Sequence, residues 1–584
     1  MDKITIMQRM EQIGMKWEDL LYVLGIEESE LADLLEIIEE SSLEKYASAI
    51  HFDKLPLDIV IQATNYLDSN DALKLSSCCK QLVPLRRYIF GNRRQLVLGS
   101  AIECIPQFIK DYTQRIKILK FTDNPCDENK LKLHCNLMET FADVREIDIH
   151  YRGCFDIELL SKFNHLQKLH MNTIGIKDLS AISRFKYLQD LDIRDDSFRL
   201  STEFNTLDMS LLCPLLHLRK LTIAYRTLAN IPATSNIIHL EDLKLVKTNI
   251  NSVSDLAPLV NLINLNIRFS PISDIKILKN MKRLKTLKLT TMKPFVIDTE
   301  PLVHFHNLVH LELSRYQISD ISFLSCLLCL KWLSLVQNDI SNLAPLQLLS
   351  NLEYLNLSEN NITDLSGLSN LIKLKTLRLN ENNIDDISFL QYLVELNDLN
   401  LNSNSIVDIL PVAGLYRLET LDLGKNQIKD CHALAGLVGL KELVLCENQI
   451  SCLDPLRGLP LLHTLDVEGN EISYISSLSM LIRLKDLDLS SNNLSNISAL
   501  SELVNLTRLK LDFNDIKDIT PLYNLTSLSE LTIAFNKISS IWTLTHLPNL
   551  FYVNVKGNSI HDREPLDILN ERSFIVDDGT NEEV

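Results

Sequence analysis

A repeat of 22 residues is the feature that most constrains how this chain can fold. The stretch LNLSENNI at residues 355–362 returns as LRLNENNI at residues 377–384. A frame L-x-x-L-x-L-x-x-N-x-I opens without a slip at Leu308, Leu330, Leu352, Leu374, Leu396, Leu418, Leu440, Leu462, Leu484, Leu506, Leu528 and Leu550. Its ninth position is asparagine in eleven consecutive repeats, at Asn338, Asn360, Asn382, Asn404, Asn426, Asn448, Asn470, Asn492, Asn514, Asn536 and Asn558.

The same frame continues upstream with a looser spelling. It opens at Ile116, Val144, Leu166, Leu188, Leu218, Leu240, Leu262 and Leu284, with extra residues before Val144, Leu218 and Leu308. We therefore predict about twenty repeats over residues 96–562 of the 584-residue chain. Such an array buries a continuous core by stacking each repeat on the next.

The frame predicts the shape of each coil. The alternation L-x-L indicates a short strand with its leucines facing inward, and stacked strands join into a parallel sheet. A buried asparagine amide can bond the backbone groups of neighbouring turns, so we interpret the eleven asparagines as a structural ladder. The following I-x-D-[IL]-x-x-L, spaced by three, favours a short 3₁₀-like segment. The prediction is an α/β solenoid with a parallel concave sheet and short 3₁₀ convex segments.

This frame resembles the leucine-rich repeats, which form a horseshoe or arc. The 22-residue spelling, as in ITDLSGLSNL and IKDITPLYNL, is similar to the internalin and phosphatase-1-regulator subclass. The longer helical repeats of ribonuclease inhibitor fit less well. The resemblance implies a protein-binding scaffold whose outward side chains select the partner.

Composition narrows the classes of partner. A net charge of −18 disfavours binding to nucleic acid or to an anionic membrane. Cysteines scattered at apolar positions predict reduced thiols and a cytoplasmic location. The pair Cys326 and Cys329 lacks the second pair that a structural zinc needs. Because no catalytic motif occurs outside the repeats, we predict no enzyme activity, no cofactor and no metal.

An all-α region is predicted to precede the repeats, as a helical segment at residues 1–50 and a second helical region at residues 51–95. Within the second, LPLDIVIQATNYLDSNDALKLSSCCKQL at residues 55–82 resembles the F-box. Matching positions include Leu55, Pro56, Asp58, Ile59, Tyr66, Leu67, Asp71, Leu75, Cys79 and Lys80. Ala63, Ala72, Cys78 and Leu82 depart from the pattern, and Leu82 replaces the usual tryptophan.

The F-box resemblance implies that Leu55, Pro56, Asp58, Ile59, Tyr66, Leu67 and Leu75 dock a Skp-family subunit of a cullin–RING ubiquitin ligase. The chain would then be a substrate-recognition adaptor. The alternative is a helical cap on the first repeat, in a ligase-independent scaffold of the phosphatase-regulator kind or a bacterial effector acting in the host cytosol. Residues 563–584 are predicted to form a C-terminal cap and an acidic, disordered tail.

Outward positions of the sheet supply the candidate target-binding residues. Carboxylates predominate at Asp422, Glu442, Glu447, Asp466, Glu468, Asp486 and Asp488, with Lys425 the one basic residue there. Basic residues predominate earlier, at Lys220, Lys244, Lys247, Arg268 and Lys288. Aromatic candidates are Trp332 and Tyr354, expected to be neighbours on adjacent strands, and in the same way Phe513, Phe535 and Tyr552. The open alternatives are ordinary solvated charge and mutual stacking across strands.

Overall fold

The computed structural model describes residues 95–98, 117–121, 144–151, 157–173, 178–195, 206–231, 236–571 and 575–577. They divide into two compact units. The first contains the described residues up to Asn249 together with Pro258–Leu262, and the second contains Ile250–Ala257 and the residues from Ile263 onward. The F-box-like residues and the predicted N-terminal helices lie outside the described part of the chain.

Short parallel strands form the first unit. In chain order they are β1 (Gln95–Leu98), β2 (Ile118–Phe121), β3 (Glu146–Tyr151), β4 (Lys168–Thr173), β5 (Asp190–Asp195), β6 (Thr206–Asp208), β7 (Lys220–Ala224), β8 (Thr227–Ala229) and β9 (Asp242–Val246). The order β1-β2-β3-β4-β5-β7-β9 is parallel throughout. Strands β6 and β8 pair with each other in a separate parallel ribbon.

The second unit repeats one coil many times. Its strands are β10 (Asn264–Arg268), β11 (Thr286–Thr290), β12 (His310–Ser314), β13 (Trp332–Ser334), β14 (Tyr354–Asn356), β15 (Thr376–Arg378), β16 (Asp398–Asn400), β17 (Thr420–Asp422), β18 (Glu442–Val444), β19 (Thr464–Asp466), β20 (Asp486–Asp488), β21 (Arg508–Lys510), β22 (Glu530–Thr532), β23 (Tyr552–Asn554) and β24 (Ile575–Asp577). Each strand pairs in parallel with the next.

The leucines of the frame explain this arrangement. Leu355 pairs with Leu377 in register, and Leu355 and Leu357 are fully buried. Burying one leucine side chain stabilises the fold by about 1.5–3 kcal/mol. Because the leucines of one coil are covered by the coils on either side, each coil depends on its neighbours for this stabilisation. The predicted fold class, a leucine-rich-repeat solenoid with a parallel sheet and short 3₁₀ segments, is confirmed.

Among the described residues, a 3₁₀ segment follows most strands on the opposite side of the coil. In the second unit these segments are Val253–Leu256, Lys276–Asn280, Glu300–His304, Ser322–Cys326, Ala344–Leu348, Ser366–Leu368, Ser388–Tyr392, Leu410–Gly414, His432–Leu434, Asp454–Gly458, Ser476–Met480, Ser498–Glu502, Thr520–Asn524 and Trp542–His546. Those of the first unit are Ile157–Leu160, Ser180–Arg184 and Met209–Leu212.

The aspartate of I-x-D begins many of these segments. Asp364 Oδ1 accepts a hydrogen bond from the Ser366 N–H at 2.8 Å, and Asp364 Oδ2 accepts one from Ser366 Oγ at 2.7 Å. These bonds hold the pKa of Asp364 below its usual range. The aspartate thus satisfies a donor that the start of a short helical turn leaves unpaired.

The C-terminal end differs in part from the prediction. Helix α1 (Glu564–Glu571) buries Leu566 and Leu569, which suits a cap. Strand β24 then pairs with β23 in parallel. The expectation of a disordered tail is therefore wrong for Ile575–Asp577, because the alternation IVD can extend the sheet by one more strand.

Candidate functional site

The asparagine column has the same bonds in nearly every repeat. Asn448 Nδ2 lies 3.0 Å from the carbonyl oxygens of Leu423 and Leu445 and 3.1 Å from that of Cys446. Its Oδ1 accepts a bond from the Ile428 N–H at 3.0 Å. Nine of the eleven asparagines are buried, and Asn404 and Asn558 are half-buried. Since their amides are occupied within the coil, these residues leave recognition to outward side chains.

Three aromatic rings stack across neighbouring strands of the second unit. The centroids of His310 and Trp332 are 3.9 Å apart, and those of Trp332 and Tyr354 are 4.6 Å apart with an interplanar angle of 6°. Lys288 Nζ lies over the Trp332 ring, 4.8 Å from its centroid. The rings therefore stack on one another, as the alternative of mutual stacking across strands predicts, and each of the three residues is half-buried.

His310 is embedded in this stack beside two cations. Burial, with the nearby charges of Lys288 and Arg268, lowers the pKa of His310 to about 4. Glu312 balances the cations, with Oε2 2.9 Å from Arg268 Nη2 and 3.8 Å from Lys288 Nζ. Arg268 and Lys288, which the sequence placed among the outward basic residues, are thus partly neutralised by Glu312.

An acidic cluster lies further along the same sheet. Carboxylate oxygens of Asp466, Glu468 and Asp488 lie within 4.8 Å of one another. Burial raises the pKa of Asp466 and of Glu468, and the charge of Asp488 raises both further. The repeat explains why these three carboxylates lie close together. Asp466 pairs with Asp488 in register, and Glu468 lies two positions beyond Asp466 on the same face.

Two residues that the sequence interpretation missed complete the cluster. Lys510 Nζ lies 3.0 Å from Asp488 Oδ2, and this bond raises the pKa of Lys510. Asp512 is half-buried and has a raised pKa, chiefly because of burial. Both occupy the outward positions of the repeat after Asp488, so extending the frame by one repeat would have found them.

An exposed aromatic pair begins at Phe513, directly after Asp512 in the chain. Phe513 and Phe535 stack with centroids 4.6 Å apart and are 55% and 44% exposed. Both adopt left-handed backbone conformations, with φ of 54° and 53°. A Cβ added at Gly557 would lie 2.6 Å from the Phe535 ring, so this glycine makes room for it. Tyr552 is not in line with the pair, because it pairs with Glu530 instead.

The remaining predicted acidic residues are spread around the cluster. Asp422 Oδ1 accepts bonds from the Gly424 N–H at 3.0 Å and from Asn402 Nδ2 at 3.1 Å. Asp486 Oδ2 lies 2.7 Å from Arg508 Nη1. Glu447 pairs with Lys425 at 3.2 Å. Glu442 is exposed on β18. These residues bring negative charge to the sheet without joining the three convergent carboxylates.

In the first unit, a separate polar cleft of about 160 Å³ lies on the sheet. Its lining includes Asp148, His170, Asp192 and Arg194. A hydrogen bond to Asp190 raises the pKa of His170, with Nε2 3.5 Å from Oδ1. The predicted basic residues Lys220, Lys244 and Lys247 do not line this cleft.

The stacked coils define a leucine-rich-repeat protein, and comparison with known proteins agrees. Family models for leucine-rich repeats match residues 350–392 and 416–472. An internalin, InlF of Listeria monocytogenes, shares 32% identity over 52% of this chain and 89% of its own, with a TM-score of 0.50. The chain belongs to the leucine-rich-repeat family, and its repeats are of the internalin type.

Two further structures share the fold. The functional domain of InlJ from Listeria monocytogenes is 21% identical over 59% of this chain and 74% of its own, with a TM-score of 0.51. The plant peptide hormone receptor RGFR1, solved in complex with RGF2, is 18% identical over 82% of this chain and 94% of its own, with a TM-score of 0.50. A comparison with curated protein sequences gives no match.

The matched family models begin beyond the F-box-like residues 55–82, which lie outside the described structure. Among the helices that the structure describes, none has the length and apolar character required to cross a bilayer. Repeat solenoids of this kind present an extended sheet surface to a partner. The chain is therefore a protein–protein interaction scaffold.

Proposed function

We propose that the second unit binds a protein segment that carries basic and apolar side chains. The binding surface, here called the acidic–aromatic site, consists of Asp466, Glu468, Asp488, Phe513 and Phe535. The observation that carries the proposal is the convergence of three carboxylates within 4.8 Å beside an exposed aromatic pair.

The carboxylates favour a cationic partner because they repel one another. The raised pKa values of Asp466 and Glu468 mean that their ionised forms are destabilised by burial and by Asp488. Lys510 supplies one positive charge against these three. A lysine or arginine of a bound segment would relieve the remaining repulsion and would also speed encounter through long-range attraction.

The aromatic pair favours an apolar contact next to that cation. Large aromatic side chains that protrude from a surface are frequent anchors of binding interfaces. Phe513 and Phe535 fit this description, since they are 55% and 44% exposed and stack on each other. Their left-handed backbone belongs to the coil, because the same position has positive φ in every repeat from Gln337 onward.

The test uses three fluorescein-labelled nine-residue peptides with the full chain. One alternates lysine and leucine, one alternates lysine and serine, and one alternates glutamate and leucine. We expect the lysine–leucine peptide to bind tightest, with anisotropy that falls as salt rises. The double variant Asp466→Asn, Glu468→Gln should weaken that binding about tenfold, and Phe535→Ala about fivefold, by the loss of charge-assisted and aromatic contacts.

The matched control removes two negative charges from a part of the surface outside the acidic–aromatic site. Glu471→Gln combined with Glu502→Gln neutralises two exposed carboxylates away from the sheet face, so it should change the affinity less than twofold. Equal weakening by the two double variants would assign the binding to net charge alone. Tighter binding of the glutamate–leucine peptide would contradict the proposal outright.

A second proposal, that the chain is a cytoplasmic substrate adaptor of a cullin–RING ligase, is supported by the ungapped F-box-like match at residues 55–80. In this role residues Leu55 and Pro56 would contact a Skp-family subunit, while the acidic–aromatic site would hold the target. The protein would contribute proximity between ligase and target rather than bond chemistry.

Co-expression of the full chain with a Skp-family subunit tests the second proposal. We expect recovery of the subunit with wild type and at least about a tenfold loss with Leu55→Ala, Pro56→Ala, because the motif opens with this apolar turn. Asp518→Ala is the comparison variant, since it lies within a repeat. Recovery from neither protein, or equally from both, would favour a scaffold in which the N-terminal helices only cap the repeats.

A further inference from the structure

We infer that the second unit also holds an anion-binding pocket, suited to a phosphomonoester group on a protein partner. It is lined by Lys441, Leu461, His463, Arg483, Lys485 and Asn505 and has a volume of about 410 Å³. We call it the basic edge pocket. These residues stand at and just before the second position of the repeat, on the edge where the chain enters each strand.

Backbone bonds place the basic residues in one row. The His463 N–H donates to the Lys441 carbonyl at 2.9 Å, and the Lys485 N–H donates to the His463 carbonyl at 2.9 Å. The three therefore occupy the same position of three consecutive coils, about 4.8 Å apart from one to the next. Arg483 adds a further cation two residues before Lys485.

Elsewhere the same row sets carboxylates beside its lysines, and the charges pair with one another. Glu353 lies between Lys331 and Lys375, with oxygens 3.7 Å and 2.7 Å from their Nζ atoms. Glu419 pairs with Lys441 at 2.7 Å. Lys441 is the last lysine of the row that has such a carboxylate partner.

Beyond Lys441 the row continues with His463 and Lys485. In the part of the chain that the structure describes, no carboxylate pairs with His463, Arg483 or Lys485. An anion is therefore the ligand that these basic residues fit.

A recess accompanies the basic residues. In the row just before each strand, Lys373 bonds Asn351 at 2.8 Å and Arg417 pairs with Glu395. The next two positions of that row are Gly439 and Leu461. These short side chains replace the long polar pairs, which leaves space for a bound group. Asn505 Nδ2 is held by the Ile482 carbonyl at 2.8 Å at the far side.

The dimensions favour one phosphate rather than a polyanion. A chain of net charge −18 repels nucleic acid and anionic bilayers over long range. Within a Debye length of about 8 Å, however, the local cations dominate over distant carboxylates. A single phosphomonoester group with three acceptor oxygens is small enough to lie within this distance of the basic residues. Arginine binds such groups through two parallel N–H bonds.

The experiment uses titration calorimetry of the full chain with inorganic phosphate, O-phosphoserine, serine, and a phosphoserine peptide paired with its unmodified form. A vesicle arm uses phosphatidylcholine with and without a phosphoinositide. We expect the phosphorylated probes to bind and the unmodified ones not to bind. The variant Arg483→Ala, Lys485→Ala should weaken phosphopeptide binding at least about tenfold by removing two charged donors.

Lys331→Ala with Lys375→Ala is the matched control, because it removes an equal number of cations from the row of Lys485 at a place where Glu353 already pairs with them. It should change the affinity less than twofold, and thermal unfolding of both variants should match wild type. Absence of phosphate binding, or equal loss in the two variants, would overturn the inference. Binding to phosphoinositide vesicles without binding to the phosphopeptide would overturn the assignment to a protein partner.

Discussion

The ninth position of the frame is filled in two different ways along the chain. From Asn338 onward it is an asparagine that bonds the backbone of its own and the preceding coil. In the repeat that opens at Leu218 it is Arg226, which is fully buried with Asp195, and Arg226 Nη2 lies 3.1 Å from Asp195 Oδ2. Thr248, Ser270 and Tyr316 occupy it in later repeats and are also buried.

The difference shows what makes the array regular. An asparagine carries both a donor and an acceptor, so it satisfies the corner of a coil using only its neighbours and no charge. A buried arginine must bring its own carboxylate, and the desolvation of both groups offsets much of their attraction. The uniform asparagine column is compatible with identical 22-residue coils, whereas the charged corner occurs beside extra residues and the β6–β8 ribbon.

The largest expected effect comes from breaking the buried pair. Asp195→Asn should destabilise the first unit by about 3–5 kcal/mol, because the Arg226 charge stays buried without its carboxylate. Hydrogen exchange of the amides in β5 and β7 measures this locally. The double change Asp195→Leu, Arg226→Met should recover most of the loss, and a failure to recover would mean that the pair has a role beyond mutual neutralisation.

Removing one asparagine side chain from the column should have the next largest effect on stability. Asn448→Ala leaves buried carbonyls and the Ile428 N–H without their partner, at a cost of about 2–3 kcal/mol. Urea unfolding followed by circular dichroism gives the value. Asn493→Ala, at an exposed position, is the control and should stay within about 0.5 kcal/mol of wild type. Equal effects of the two would contradict the structural role of the column.

The aromatic stack gives a smaller, pH-dependent effect. Trp332→Ala should cost about 1 kcal/mol of stacking and should raise the pKa of His310 from about 4 toward 6.5, because the ring loses its cover. The depressed pKa means that wild-type stability is full above pH 6.5 and is lost as pH falls toward 4.

NMR titration of the His310 ring tests this expectation. Tyr354→Ala is the control, since Tyr354 stacks on the opposite side of Trp332 from His310. The His310 pKa should stay near 4 in that variant. A similar rise of the His310 pKa in both variants would show that Trp332 is not the main side chain that shields His310 from solvent.

The acidic cluster should give the smallest effect and the opposite sign. Asp466→Asn should stabilise the second unit by about 0.5 kcal/mol at pH 7, because it removes one of three repelling carboxylates. The raised pKa of Asp466 means that the folded state binds a proton more readily than the unfolded state. The repulsion therefore fades as pH falls through the raised pKa, and the advantage of the variant should vanish there. A constant advantage across pH in urea unfolding would count against this explanation.

Most of the fold followed from the repeat, and so did the role of the asparagines within each coil. The outward positions were also predictable, which is why Asp466 and Asp488 could be named among the outward carboxylates. Lys510 and the row of Lys441, His463 and Lys485 follow from the same frame but were not extracted from it. The register of Tyr552 was misjudged, because an aromatic residue on the next strand need not occupy the same position.

The sequence by itself determined the coil, because its period, buried leucines and amide corners are all requirements of local backbone geometry. Only the tertiary structure decided which outward side chains touch. The approach of Lys510 to Asp488, the stacking of Phe535 over Gly557 and the recess beside Leu461 depend on rotamers and on what neighbouring coils leave open. Those contacts join residues 22 or more apart, and a periodic pattern fixes their spacing without fixing their direction.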